Sequence, residues 1–433
     1  MDKTGLWGLV LAVVSSPGVA QQTGTAAPDA AENRRADSHF HLLDFLQNGE
    51  FLNTDGRFPG TEWGVTEGGR YSTLPYGERG RRIEALLRGM EEAQVDHVMV
   101  SGMPFIKKWS ENEPFLRPRY YLDSSSRVKR ARDTDITVAS AIVDYRARYA
   151  DDPERLAELR KIHPFITGFD GTDLGAVDLI VKRIKEFPGI WEGIGEVMSR
   201  HDDLTNLSFG ERPRADHPAL VRVCRFAGEH FLPVSIHHNI APISRSPSEV
   251  KPPLYLDEFV QLLRQCRWEK EGVDYTTRFI WCHAGISRRV TIADLPFWIE
   301  EVLKEAGEQL HIDLSWVVLE DYVYQDLERW AELISRFPDR FMIGSDAVGG
   351  ASRIDQELDR FDRLLAALPE EVRVRVEHDN FAGLMEEMAN LRAAAGFGEQ
   401  GIVLDYRYEF PEYAHTGRLK ASESFTSEVL ASD

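Results

Sequence analysis

The sequence predicts an α/β protein: a (β/α)8 TIM barrel with a long loop after its first strand and a C-terminal extension. Three observations carry this expectation. Eight short apolar, β-rich runs recur along the 433 residues, amphipathic segments of helical period lie between them, and the polar residues of several runs collect at their C-terminal ends. Alternation of this kind builds a parallel sheet covered by helices. Eight such units close into a barrel whose chemistry sits at the C-terminal ends of the strands.

The chain opens with MDKTGLWGLVLAVVSSPGVA. Lys3 precedes the apolar run Leu6 to Val14, a Ser-Ser-Pro-Gly break follows, and the small residues Gly18 and Ala20 mark a cleavage site. This is the pattern of a secretory signal peptide over residues 1–20, so a secreted or periplasmic mature chain is expected. The run is too short to span a bilayer, and the mature protein is not expected to be membrane-embedded. A polar linker covers 21–35, the barrel 36–392 and the extension 393–433, which is expected over the barrel bottom or against a partner subunit.

The eight runs are 36–41, 95–102, 163–169, 191–197, 232–238, 278–284, 311–316 and 340–346. Helical patterns fall at 81–94, 174–187, 218–230, 256–267, 293–306 and 321–337. Hydrophobic residues make up 42% and charged residues 28%, as in ordinary globular enzymes, and the net charge of −20 argues against a nucleic-acid partner. Cys224, Cys266 and Cys282 match no zinc or redox spacing. They read as three buried thiols, with a Cys224–Cys266 bridge as the alternative.

In RADSHFHLLDF, His39 and His41 are two apart on a strand, so both imidazoles point to one face. Such a pair fills a core poorly but ligates a metal well. LPVSIHH ends with His237 and His238, RFIWCHAG with His283, RFMIGSD with Asp346, and WEGIGEV near Glu196. One polar strand end could be chance; a set converging on one barrel mouth reads as a metal centre. His238 should face away from His237 and act from behind or from a loop. Glu196 is either a ligand or a partner of nearby Arg200, and Asp346 fits both a metal contact and a helix N-cap. In HIDLSW, Asp313 and Ser315 share a face with His311, as supports, substrate contacts or core polar residues.

HxH on strand one, His on strands five and six and Asp on strand eight resemble the amidohydrolase superfamily. PVSIHHN, FIWCHAG, RFMIGSDA and HDNFAGLM look like its amidohydrolase-related (amidohydrolase 2) branch, which includes aminocarboxymuconate-semialdehyde decarboxylase-like proteins. GIGEV followed by LPVSIH also resembles TatD-type metal hydrolases, in which a strand-four Glu binds metal. The resemblance spans about Ala36 to Met388.

It implies that His39, His41, His237, Asp346 and Glu196 ligate a divalent metal ion, zinc first, with manganese or iron as alternatives. It further implies that Asp346 takes a proton from the metal's water and that His283 polarises the substrate carbonyl, or serves as a ligand where two metals bind. No Lys lies in WEGIGEV, which departs from members that bridge two metals with a modified lysine. The implied activity is hydrolysis of an amide, ester or lactone in a small-molecule substrate. The alternative is decarboxylation at the same site. The long loop 42–80, with Trp63, Tyr71 and Tyr76, is expected as a lid, and Lys107, Arg117 or Arg119 as a grip for a carboxylate. A homo-oligomer stays open.

Overall fold

In the computed structural model of the chain, residues 34–43, 81–104, 107–108, 119–120, 134–201, 213–397 and 424–432 are described. The expected leader, the linker as far as residue 33, most of the loop with Trp63, Tyr71 and Tyr76, and Arg117 lie outside them. So does the tail between 398 and 423. Lys107 and Arg119 stand on a two-residue antiparallel pair, Lys107–Lys108 against Arg119–Tyr120.

Nine parallel strands form one sheet: β1 (Arg35–His41), β2 (Val95–Ser101), β3 (Ile162–Ile166), β4 (Gly193–Met198), β5 (Val234–His237), β6 (Phe279–Trp281), β7 (Leu310–Asp313), β8 (Phe341–Met342) and β9 (Ala347–Val348). Their order is β8-β7-β6-β5-β4-β3-β2-β1-β9. The two ends of this order, β8 and β9, belong to one run of chain. Met342 pairs with Asp313 of β7, and Ala347 and Val348 pair with Phe40 and His41 of β1. Between them, Ser38 N–H donates to Ile343 O at 3.1 Å and Asp346 N–H to His39 O at 2.8 Å. The sheet therefore closes on itself as a TIM barrel.

The outer layer carries α1 (Arg82–Glu92), α2 (Thr134–Arg148), α3 (Ala176–Glu186), α4 (Pro218–Glu229), α5 (Leu256–Gln265), α6 (Leu295–Ala306) and α7 (Leu327–Arg336). Several start where the sequence supplies a stop for the orphan amides. His217 accepts from Ala219 N–H ahead of Pro218, and Asp294 accepts from Phe297 N–H. Helix α2 is absent from the sequence reading. Its buried positions include Thr137, Ala139 and Ala141, too small to draw a clear apolar stripe.

The barrel interior divides along its axis. Its lower half is apolar: Ala36, Met99, Phe165, Ile280 and Met342 come from five strands and pack together. The Phe165 ring occupies space that a Cβ on Gly193 would enter, 2.4 Å from the ring edge. Phe381, Leu384, Met385 and Met388 of α8 (Asn380–Ala394) complete this cluster, so the segment HDNFAGLM closes the bottom of the barrel. Asn380 holds the helix there by donating to Pro338 O and Phe341 O, each at 2.8 Å. The described end of the tail, α9 (Phe425–Ser432), lies elsewhere. Ser424 and Thr426 bond to Asp257 at the start of α5, and Phe425 and Val429 join the outer core.

The upper half of the barrel is polar and is taken up below. Cys224, Cys266 and Cys282 are buried free thiols. No helix among the described residues is long and apolar enough to cross a membrane.

Candidate metal centre

Three strands lead into backbone conformations that side chains rarely adopt. β6 ends at Trp281, and His283 and Ala284 follow with φ of 56° and 50°. Trp316, after β7, has φ 64°, and Asp346, between β8 and β9, has φ 46°. The expected strands 278–284 and 340–346 therefore break early. Straight strands would carry these side chains up and out, whereas the left-handed corners turn them across the mouth. Strain of this kind is kept where the surrounding structure imposes it, commonly at functional sites.

The corners bring His39, His41, Glu196, His237, His283 and Asp346 together, as expected from the sequence. His39 Nε2 and His41 Nε2 are 3.3 Å apart. Glu196 Oε2 lies 3.8 and 3.4 Å from them, and Asp346 Oδ1 3.6 and 3.5 Å. A tetrahedral ion with bonds of about 2.0–2.1 Å separates its ligands by about 3.4 Å, so the two histidine nitrogens stand at about that spacing from each other and from both carboxylate oxygens. The other oxygen of Glu196 faces a second pair. Glu196 Oε1 is 3.0 Å from His237 Nδ1 and 3.7 Å from His283 Nε2.

Hydrogen bonding on the outer side decides what these nitrogens present inward. His39 Nδ1–H donates to Asp313 Oδ2 at 2.9 Å and His41 Nδ1–H to Gly102 O at 2.9 Å. His283 Nδ1 faces Ser315 Oγ at 2.8 Å and Ser315 O at 3.2 Å, and the carbonyl can only accept. His237 meets an acceptor on each side, Asn239 Oδ1 3.2 Å from Nε2 and Glu196 Oε1 3.0 Å from Nδ1, while Asn239 Nδ2 donates to Ser287 Oγ. With the His237 N–H on Asn239, each neutral imidazole spends its single N–H outward and turns a lone pair inward. Four lone pairs, both oxygens of Glu196 and one of Asp346 converge without a donor among them, all on buried or nearly buried side chains. Only positive charge can satisfy that set. The residues fit divalent metal, and outward N–H bonds to carboxylate and carbonyl are how metal-bound histidines are held.

The electrostatics agree. Burial pushes the Glu196 carboxyl up, yet the positive charge that His39 attracts, with His237 and His283 beside it, holds it well below the usual range. Burial pushes His39 down. It is outweighed by Cys282, Glu196, Asp313 and Asp346, which raise it well above the ordinary value. Glu196 does not pair with Arg200, whose guanidinium bonds Glu258 instead, Nε donating at 2.9 Å. His238 stands outside the ligand set, with Nε2–H donating to Tyr255 O at 2.8 Å. Asp313 takes the N–H of His39 and two bonds from Ser315, so it orients ligands from behind.

Other contributors were not singled out by the sequence. Asp37 accepts from Ser345 N–H at 2.8 Å, Ser345 Oγ at 2.6 Å and His39 N–H at 3.1 Å. It joins β1 to the residue before Asp346, and burial raises its pKa to about 6. A charged residue inside the apolar run RADSHFH was the available signal. The His201 ring lies 4.4 Å from that of His237, and the Trp316 ring 5.1 Å from that of His283. The seventh run includes Trp316, which the strand period would aim at the helix layer with Ile312 and Leu314; the strand ends at Asp313 and the left-handed corner turns Trp316 to the mouth instead, while His201 lies past the end of β4.

Gly344 lets β1 and β7 approach so closely. A Cβ there would lie 2.8 Å from Asp313 Oδ1, 2.9 Å from His39 Cβ and 3.1 Å from Ser38 Oγ. Gly344→Ala should displace His39 from Asp313 and weaken metal binding by about 10–100-fold, as loss of an outer partner does. Competition with a chromogenic chelator measures this, and unchanged affinity in a folded variant would contradict it.

The amidohydrolase family model matches residues 36–382. No curated protein matches in sequence. Solved structures with a similar course of chain include an uncharacterised TIM-barrel protein from Bordetella bronchiseptica, at 13% identity and a TM-score of 0.42, covering 82% of this chain and 99% of that one. A zinc-bound amidohydrolase from Burkholderia multivorans matches at 12% identity and a TM-score of 0.42, with the same coverages. Dihydroorotase from Campylobacter jejuni matches at 13% and 0.40, covering 82% of this chain and 83% of that one. With the family model spanning nearly the whole barrel, this chain belongs to the amidohydrolase family of metal-dependent hydrolases.

Proposed function

We propose that the protein is an exported hydrolase with a two-ion centre, in which the Glu196 carboxylate is shared between a site of His39, His41 and Asp346 and a site of His237 and His283. The observation that carries the reading is the position of Glu196. Its two oxygens face two separate histidine pairs, each presenting lone pairs. In this reading Glu196 takes the place of a bridging modified lysine, and His283 is a ligand rather than the group that polarises the substrate. Bound there, divalent ions, zinc first, would supply Lewis acidity to a water and to the scissile carbonyl of an amide, ester or lactone.

The residues divide the remaining work. Asp346 is the more accessible of the two inward carboxylates, its side chain 16% exposed against 2% for Glu196, so it can meet a water from the mouth. It receives the proton of that water and passes it to the leaving group. Asp37, through Ser345, and the left-handed corner hold Asp346 in place. Trp316 and His201 pack their rings beside His237 and His283 at the mouth. Export rests on the leader pattern of residues 1–20, from which a mature N-terminus at Gln21 or within a few residues of it is expected.

Two outcomes test the proposal. Asp346→Asn, supplied with excess metal, should keep most of its bound metal and lose about 10²–10⁴-fold in turnover on an ester and lactone panel. Product formed by the native enzyme in ¹⁸O water should carry the label. Near-normal turnover of the variant would remove Asp346 as the base, and unlabelled product with release of carbon dioxide would replace hydrolysis by decarboxylation. Separately, N-terminal sequencing of the exported chain should start at or within a few residues of Gln21, and a chain starting at Met1 would overturn export.

A further inference from the structure

At the closed end of the barrel, three further histidines gather with acidic partners. Asp96 and His97 lie near the start of β2, and His163 stands on β3. His378 lies in a π-helical turn, Arg375–Asp379, that leads into α8. Turns of this type are rare and recur at functional sites.

The hydrogen bonds set the protonation of this group. His163 Nδ1–H donates to Glu192 Oε2 at 2.8 Å. In the neutral network its Nε2 then accepts, at 2.9 Å, from His97 Nδ1. His97 is thereby fixed with its lone pair on Nε2. His378 stands between two carboxylates, Nδ1 2.8 Å from Asp379 Oδ1 and Nε2 2.9 Å from Asp96 Oδ1. An imidazole so placed needs positive charge at Nε2, either a proton or a metal ion. One ligand atom from each of Asp96, His97 and His378 lies within 4.8 Å of the other two. The Asp96 and His378 side chains are 25% and 20% exposed, so an ion can reach them.

We propose that Asp96, His97 and His378 form a second metal site, distinct from the mouth, for a zinc-class divalent cation. Two imidazoles and one carboxylate suit zinc, cobalt or nickel and disfavour calcium and magnesium, which prefer all-oxygen shells. The chain from His97 through His163 to Glu192 supplies the outer hydrogen bond that orients a ligating imidazole. The ion would cross-link β2 to the turn that carries α8, and so fasten the helix that closes the barrel. Its role is structural and does not depend on the reading of the mouth.

The test uses the full chain, stripped with a chelator, equilibrated with zinc and desalted, with metal counted by plasma mass spectrometry. Wild type should hold one zinc more per chain than His378→Gln, and its melting temperature should rise further with zinc. His97→Gln serves as a second variant should His378→Gln fold poorly. In the His39→Ala/His41→Ala background the extra zinc should remain, which separates this site from any failure at the mouth. Equal zinc content in wild type and both variants would overturn the site. So would binding only at millimolar zinc that the substitutions leave unchanged, which would mark an adventitious ion only.

Discussion

The mouth of this barrel depends on one constraint: each of its four inward imidazoles has spent its single N–H on an outer partner. Asp313, Gly102 O, Asn239 and Ser315 take those protons. What remains inside is a set of acceptors, with Glu196 at its centre. Burying such a set without a compensating cation costs far more than any one hydrogen bond returns. The outer partners therefore do more than hold rings still. They leave the cavity asking for positive charge, and they fix which nitrogen meets it.

The rest of the fold can be understood from that requirement. Short strands bring the outer partners up behind the ligands, as β7 does with Asp313 behind His39 on β1. Left-handed corners after β6 and β8 turn His283 and Asp346 across the opening, a cost that the hydrogen bonds of Ser315, Asp37 and Ser345 help to offset. The apolar layer of Met99, Phe165 and Met342, sealed by α8, carries the packing at the other end. This division lets the polar end be assembled from groups that stabilise little by themselves.

The histidines that gather at the mouth are legible because period-two strands and apolar runs announce a polar residue that does not belong in a core. His39, His41 and His237 stand out in this way. Glu196 was legible only as a carboxylate near the mouth, since Arg200 offered an equal partner in sequence; geometry gives Arg200 to Glu258. The corner residues His283, Trp316 and Asp346 are not glycines, and although Gly285 and Gly344 stand beside two of them, nothing in the period of the runs marks where the strands break. Asp37 read as part of a strand, and its bonds to Ser345 join positions about three hundred residues apart. The closure of the barrel bottom by α8 is likewise a long-range fact, although HDNFAGLM stands out as a motif.

The sharing of Glu196 is the centre of this account, and anomalous diffraction tests it most directly. Crystals of the native chain grown with zinc, recorded on both sides of the zinc edge, should show two peaks at the mouth, about 3.5–4 Å apart as in two-metal sites, flanking the Glu196 carboxylate. One should lie toward His39 and His41, the other toward His237 and His283. A single peak ligated by His39, His41, His237 and Asp346, with Glu196 turned away, would contradict it.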